Sequence, residues 1–290
     1  MRRLVRISLA AVCAGAVAAS LVPPVASTSA QAPAVGQFAP GFTVPRTADG
    51  KPDVNGLWQA LNSANWDIQD HPATSGLNPG GIGVYGAQPA GLGIVEFNEI
   101  PYQPWALARR KENFEKRLVS DPNDRSAGDP EAKCYMPGVP RATYMPYPFQ
   151  IIQGTDKIMI AYEFADLARV VYLGELGPPP IDSWMGQSVG RYLGDTLEVT
   201  ATGFNDQTWF DRAGNFHSEQ LKVVERYTPV SPYHLSYEAT VEDPKVFTRP
   251  WTIAFPLYRR MERGARLLEF KCVEFSEEFL YGKLRRPPGR

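Results

Sequence analysis

The sequence predicts a mainly β protein, an antiparallel, lipocalin-like barrel with an N-terminal wrap and one covering helix. Three observations lead there. From about residue 148 the apolar residues recur with period two through eight or nine consecutive segments rich in Val, Ile, Tyr, Phe and Thr. Turn chemistry, and no helix, separates those segments, which argues for a meander that closes on itself to remove its edges. The 290 residues are 43% hydrophobic and 21% charged, a globular composition that excludes collagen-like, coiled-coil and wholly disordered chains.

The amino terminus reads as a secretory signal over residues 1–32. Arg2, Arg3 and Arg6 form a basic start, residues 7–22 are uncharged and mostly apolar, and Ala30-Gln31-Ala32 is a small-residue cleavage site. The mature chain then begins at Pro33, in the periplasm or outside the cell. The apolar run ends at Pro23-Pro24, short of the roughly 20 residues a membrane-crossing helix needs. No other segment is apolar enough to span a bilayer, and Cys13, behind the bulky Val12, is a poor lipid-attachment site. Losing three Arg and no acid takes the net charge from −1 to −4, so no nucleic-acid partner is expected.

Residues 33–130 read as an arm, a loop and a helix packed on the barrel, and 131–290 as the barrel. Residues 33–56 are punctuated by Pro, Gly and Asp without a period, an extended wrap. Residues 75–93 are a glycine-rich loop. There Gly81, Gly83 and Gly86 spell a dinucleotide-binding pattern, but the strand before it and the helix after it are both missing. The covering helix starts at Pro104 and stops at Asp121-Pro122. Its inner stripe is Leu107, Lys111 through its aliphatic stem, Phe114 and Leu118; Arg109, Arg110, Glu112, Asn113, Glu115, Lys116 and Arg117 face solvent. The strands are expected at 148–154, 157–164, 168–173, 187–193, 196–203, 219–228, 234–242, 249–258 and 266–275, with Gly194-Asp195 as a two-residue hairpin.

Cys134 and Cys272 are the two cysteines left after processing. An even pair in an exported chain is expected to form a disulfide, tying the last strand to the segment that enters the barrel; two buried free thiols are the alternative. His71, His217 and His234 are scattered, without metal-ligand spacing, so neither a metal site nor a cofactor is expected. Asp206, Asp211 and His217 share one loop that could gather on an ion, although Asx-turns over packed Trp209 and Phe210 explain it as well.

Gly186-Gln187-Ser188-Val189-Gly190 is a G-x-S-x-G string, with Asp206 or Asp211 and then His217 in the order of an α/β-hydrolase. A hairpin follows it where a hydrolase would have a helix, so the two glycines are expected to relieve crowding in a bent strand, and a serine hydrolase using Ser188 is kept as an alternative. More chemistry lies in residues 134–150, where four prolines stiffen a segment presenting Tyr135, Tyr144, Tyr147 and Arg141. Arg offers a carboxylate two hydrogen bonds, and Tyr a directional hydroxyl at small entropic cost. Glu163 alternates against Ile160 and Tyr162, facing either solvent or a polar lumen, where an apolar setting would raise its pKa toward that of a general acid. Trp184, Trp209 and Trp251 read as ligand stackers or core anchors.

The strings RTADGKPDVNGLW, EIPYQPWA, CYMPGVPRATYMPYPFQI, WMGQSVGRYLGDTLEVTATGFND, WFDRAGNFHSEQLKVVERY and VEDPKVFTRPWT resemble a broad family of exported, largely uncharacterised bacterial proteins, over nearly the whole mature chain. The resemblance implies a lipocalin-like barrel and no particular chemistry. Tyrosines, an Arg and a Glu in a small barrel are similar in kind to the cofactor-free phenolic acid decarboxylases, an analogy of site type without a shared motif. The sequence therefore leads us to expect a cofactor-free, lyase-type enzyme acting on a small aromatic or amphipathic carboxylated compound. Arg141 would clamp the carboxylate, Tyr144 and Tyr147 orient an oxygen, and Glu163 move the proton. His217 is a second acid–base candidate, and Tyr147, Trp184, Trp209 and Trp251 would line the pocket. A non-enzymatic periplasmic carrier of such a ligand is the principal alternative.

Overall fold

The computed structural model describes residues 37–74, 88–117 and 128–272. The expected signal (1–32), the Gly81/Gly83/Gly86 pattern, Leu118 and the Asp121-Pro122 stop lie outside the described residues. Nine strands form a closed barrel in sequence order. They are β1 (Gly56–Ala60), β2 (Phe149–Gln153), β3 (Lys157–Tyr162), β4 (Ala168–Leu173), β5 (Gln187–Leu193), β6 (Thr196–Thr202), β7 (Lys222–Ser231), β8 (His234–Glu242) and β9 (Trp251–Arg259). The strand rich in β-branched and aromatic residues is thus found eight times near its expected place, and the Gly194-Asp195 turn joins β5 to β6, with Leu193 opposite Thr196.

Three expectations need correction. First, β1 lies where the sequence shows only the end of an extended wrap, and it closes the barrel by pairing with both β2 and β9. That seam depends on Gly56: a Cβ there would sit 2.4 Å from Arg259 Nη1, and the Arg259 guanidinium lies 4.2 Å over the Trp58 ring. Second, the meander is not wholly antiparallel, because β4 and β5 run parallel. The Pro178-Pro179-Pro180 run between them has no backbone N–H for a tight hairpin, and the connection crosses over, held by Ser183 N–H on Gly203 O and Asn205 N–H on Ser183 O, both 2.9 Å. Third, residues 266–275 form no strand within the described part; Phe270 makes only an isolated bridge to Phe164. Cys134 and Cys272 are bonded to each other, their Cα atoms 5.2 Å apart, so the disulfide ties down the segment that follows β9 and not a final strand.

The inward positions follow from the period of two. Trp58, Phe149, Ile151, Ile158, Ile160, Val171, Leu197, Val199, Val223, Leu235, Ala239, Val241, Ile253, Phe255 and Leu257 are all buried in one core. The polar residues that alternate with them in β8, such as Glu238 and Glu242, face outward.

The β1–β2, β3–β4, β6–β7 and β8–β9 connections all lie at one end of the barrel, as the pairing directions require. The β1–β2 connection carries α1 (Pro104–Lys116) and the short α2 (Arg141–Tyr144). All four residues of α2 are buried, and Tyr144 meets Phe255 edge-on at 6.0 Å, so α2 is a plug in that mouth. Helix α1 starts at Pro104 as expected but turns a different face inward. Its buried residues are Ala106 and Asn113, while Leu107 is 57% exposed. Two polar contacts to the β6–β7 loop fix that rotation: Asn113 Nδ2 donates to Gly214 O at 3.1 Å, and Arg110 Nε to Asn215 Oδ1 at 3.3 Å. No helix among the described residues is long and apolar enough to cross a membrane.

Candidate ligand-binding site

The β6–β7 loop, residues 203–221, stands over the same mouth, and its shape is set from below. Asp211, fully buried, accepts from Ile68 N–H (2.9 Å) and from the backbone and side chain of Asn215. Burial, and next the Asp67 carboxylate, push its pKa up to about 7. Tyr144 donates its hydroxyl to Phe210 O at 2.7 Å, and Arg141 Nη1 reaches Trp209 O at 3.4 Å. The loop then turns back on itself, with Trp209 bridged to Phe216.

Between this loop, α1 and the β4–β5 and β8–β9 connections lies an open groove of about 550 Å³. Its walls are aromatic: Trp105 from α1, Trp184 from the crossover, and Trp209 and Phe216 from the loop. Trp105 packs edge-on to Phe216 at 6.1 Å and is itself half-exposed, while Trp184 is backed by Tyr135 at 5.1 Å. The rim carries Arg109, Asp206, Glu219 and Lys245, two charges of each sign. Lys245 Nζ is held by both oxygens of Glu219, at 3.0 and 2.9 Å.

His217 is at the groove floor, 2% exposed. Its Nδ1 lies 2.8 Å from Ser218 O and its Nε2 2.5 Å from Thr208 Oγ1. A carbonyl only accepts, so Nδ1 carries the proton and Nε2 accepts from the threonine hydroxyl. Burial lowers its pKa, which keeps the ring neutral. Both nitrogens are engaged, so His217 shapes the floor and offers no free base.

The residues singled out in the sequence therefore separate. Trp184, Trp209 and His217 meet in the groove. Arg141 does not: it is 1% exposed and spends all five N–H bonds inside the protein, on Asn65 Oδ1 (2.8 Å), both oxygens of Asp129 (2.8 and 2.9 Å), Glu131 Oε2 (3.2 Å) and Trp209 O (3.4 Å). Burial works against its charge, but Asp129 and Glu131 together hold the guanidinium protonated. Arg141 and Tyr144 are thus positioning residues for the backbone of Trp209 and Phe210. Glu163 is in the β3–β4 turn, where it accepts from Leu268 N–H at 2.8 Å, and Tyr147 packs beside that turn on Phe164 and Phe270. Trp251 is buried below the loop, edge-on to Phe210 and Phe247.

Ser188 is also accounted for. It is buried on β5 and accepts from Arg169 Nε at 2.8 Å, while both nitrogens of His217 are taken by Thr208 and Ser218. Its flanking glycines do relieve crowding. Gly186 has φ +63°, and a Cβ on Gly190 would come within 2.8 Å of Val171 Cγ1. Among the described residues no group of three His, Cys, Asp or Glu side chains is disposed to hold a metal ion.

Inside the barrel is a polar cluster that the sequence did not suggest. Arg169 of β4 pairs with Glu225 of β7, and Tyr227 and Tyr237 both donate to Glu225 Oε1, at 2.9 and 2.8 Å. The signal was parity: Glu225 lies in phase with Val223 and Tyr227, and Arg169 is registered opposite Ile160.

Comparison with protein-family profiles, curated proteins and solved structures finds no match to this chain.

Proposed function

We propose that this chain is an exported binding protein for a small aromatic or amphipathic carboxylated molecule, held in the groove over the α2-plugged mouth. The observation that carries it is the convergence of three tryptophans and a phenylalanine, from three separate connections, on one cleft of about 550 Å³ with Lys245 and Arg109 at its edge. Aromatic walls supply stacking area, and a rim cation supplies a partner for a carboxylate. Lys245 would exchange one Glu219 oxygen for the ligand. The signal-like amino terminus and the disulfide agree with an exported chain.

Binding is favoured over the lyase chemistry expected from the sequence because that chemistry needs Arg141, Tyr144, Glu163 and His217 on one ligand. Arg141 and Tyr144 stand instead in the plug under the loop, Glu163 in the β3–β4 turn and His217 in the groove floor. Incubating the mature chain with metabolite extract and analysing it by native mass spectrometry tests the proposal. Retention of an aromatic acid unchanged in mass supports binding; its conversion during incubation would restore the lyase, and retention of nothing would remove both.

A further inference from the structure

The cations on the groove's rim are already answered. Arg109 pairs with Glu112 of its own helix at 3.2 Å, and Lys245 is held by both oxygens of Glu219. The hydrogen-bonded Glu219 raises the Lys245 pKa, with Asp206 and Asp243 adding to the rise. Asp206 differs. It is exposed on the loop three residues before Trp209, and among the described residues it has neither an ion pair nor a side-chain hydrogen bond. The rim therefore carries one carboxylate that no cation of the protein neutralises by direct contact.

The six tryptophans divide in a matching way. Outside the groove, an arginine guanidinium lies over Trp58 at 4.2 Å and over Trp66 at 4.4 Å, and Trp251 packs edge-on to Phe210 and Phe247. The other three, Trp105, Trp184 and Trp209, all line the groove, and among the described residues no Lys or Arg sits over any of their rings. The face of an indole attracts a cation through its ring quadrupole, more strongly than the other aromatic side chains do. Three uncovered indoles and an unanswered carboxylate in one groove suit a positive charge that the protein does not supply. A guest with only a carboxylate fits this rim poorly. To reach Lys245 it must displace one Glu219 oxygen, and it then shares that ammonium with Glu219 in the field of Asp206.

Given the groove as the site of an aromatic carboxylated guest, on which reading this rests, we propose that the same guest carries an ammonium group. It is a zwitterion of the amino-acid type, whose carboxylate goes to Lys245 and whose ammonium goes to Asp206 and the tryptophan faces.

L-Phenylalanine, 3-phenylpropionate and 2-phenylethylamine share a skeleton and differ in the charges on it. Each is titrated calorimetrically into the mature chain and into Asp206→Asn, near neutral pH and at low ionic strength. An exposed ion pair and an exposed cation–π contact are each worth up to about fivefold in affinity, so phenylalanine should bind roughly tenfold more tightly than phenylpropionate. Asp206 is exposed, so the variant folds as wild type does, and in it that preference should fall to about threefold or less. Equal binding of phenylalanine and phenylpropionate, or a preference that Asp206→Asn leaves intact, would overturn the zwitterion and leave the aromatic-acid reading standing. Phenylethylamine binding as tightly as phenylalanine would deprive the carboxylate of a role and overturn both, as would binding of none of the three.

Discussion

Replacing Arg141 with Met keeps most of the side-chain volume and removes five N–H donors at a point where the residue is 1% exposed. Asp129, itself 2% exposed, keeps the Glu131 N–H at 3.0 Å, while Glu131 retains Arg212 Nε at 2.8 Å. One buried carboxylate thereby loses its hydrogen-bonded cation, a loss of about 3–5 kcal/mol, against a total stability of about 5–15 kcal/mol for a domain. Trp209 loses one long hydrogen bond to its carbonyl, so binding in the groove should change by less than about tenfold, or roughly 1.4 kcal/mol. Urea unfolding of the disulfide-intact chain should show a much lower midpoint at constant slope. Calorimetric titration at 10 °C should still show an aromatic carboxylate binding. A variant within about 1 kcal/mol of wild type that loses affinity for the carboxylate but keeps it for the amide would refute this reasoning and make Arg141 the ligand clamp.

Three further outcomes follow from the same physics. Arg169→Met leaves the Glu225 carboxylate in the barrel without its guanidinium and should cost about 3–5 kcal/mol, whereas Arg169→Met with Glu225→Gln, which keeps an oxygen for Tyr227 and Tyr237, should recover part of it; urea titration of both distinguishes a buried pair from independent sites, whose losses would add. Asp211 titrates near 7 in the folded chain and near 3.8 unfolded, so the native state holds an extra proton between those values. Its stabilising contribution is full below about pH 4 and declines as pH rises toward 7, by at most about 1.4 kcal/mol per pH unit. Buried His217 and the lowered His234 act in the opposite sense, so the quantity to measure is the stability gap between wild type and Asp211→Asn, which should narrow from pH 4.5 to 7.5. Removing the Cys134–Cys272 bond, whose partners are 138 positions apart in sequence, should lower stability by roughly 2–5 kcal/mol, read as a fall in the urea midpoint of the double Ser variant.

The barrel was legible because its strands are long enough to show their period and its inward faces are nearly all apolar. β1 was not, since GLWQA is five residues embedded in turn-forming sequence, and what makes it a strand is the pairing with β9, some 200 residues on. The α1 stripe went wrong because Asn113 and Arg110 turn inward to satisfy backbone and side-chain groups of a distant loop, which outweighs exposing Leu107. Residues 134–150 do lie beneath the groove, where Arg141 and Tyr144 hold the backbone of Trp209 and Phe210 and do not line it. Stiffening prolines beside Tyr and Arg mark a packed plug as readily as a site. Polar residues that alternate with apolar ones point outward; the interior Arg169 and Glu225 were hidden because they share the phase of the core.

Calorimetric titration of the mature chain with benzoate and cinnamate, beside Trp184→Ala, Trp105→Ala and Lys245→Ala, tests the groove most directly. Our account requires saturable binding at one site, weakened roughly tenfold by either tryptophan variant, and weakened by Lys245→Ala for the acids but not for their amides. Absence of saturable binding, or binding that all three variants leave unchanged, would contradict it.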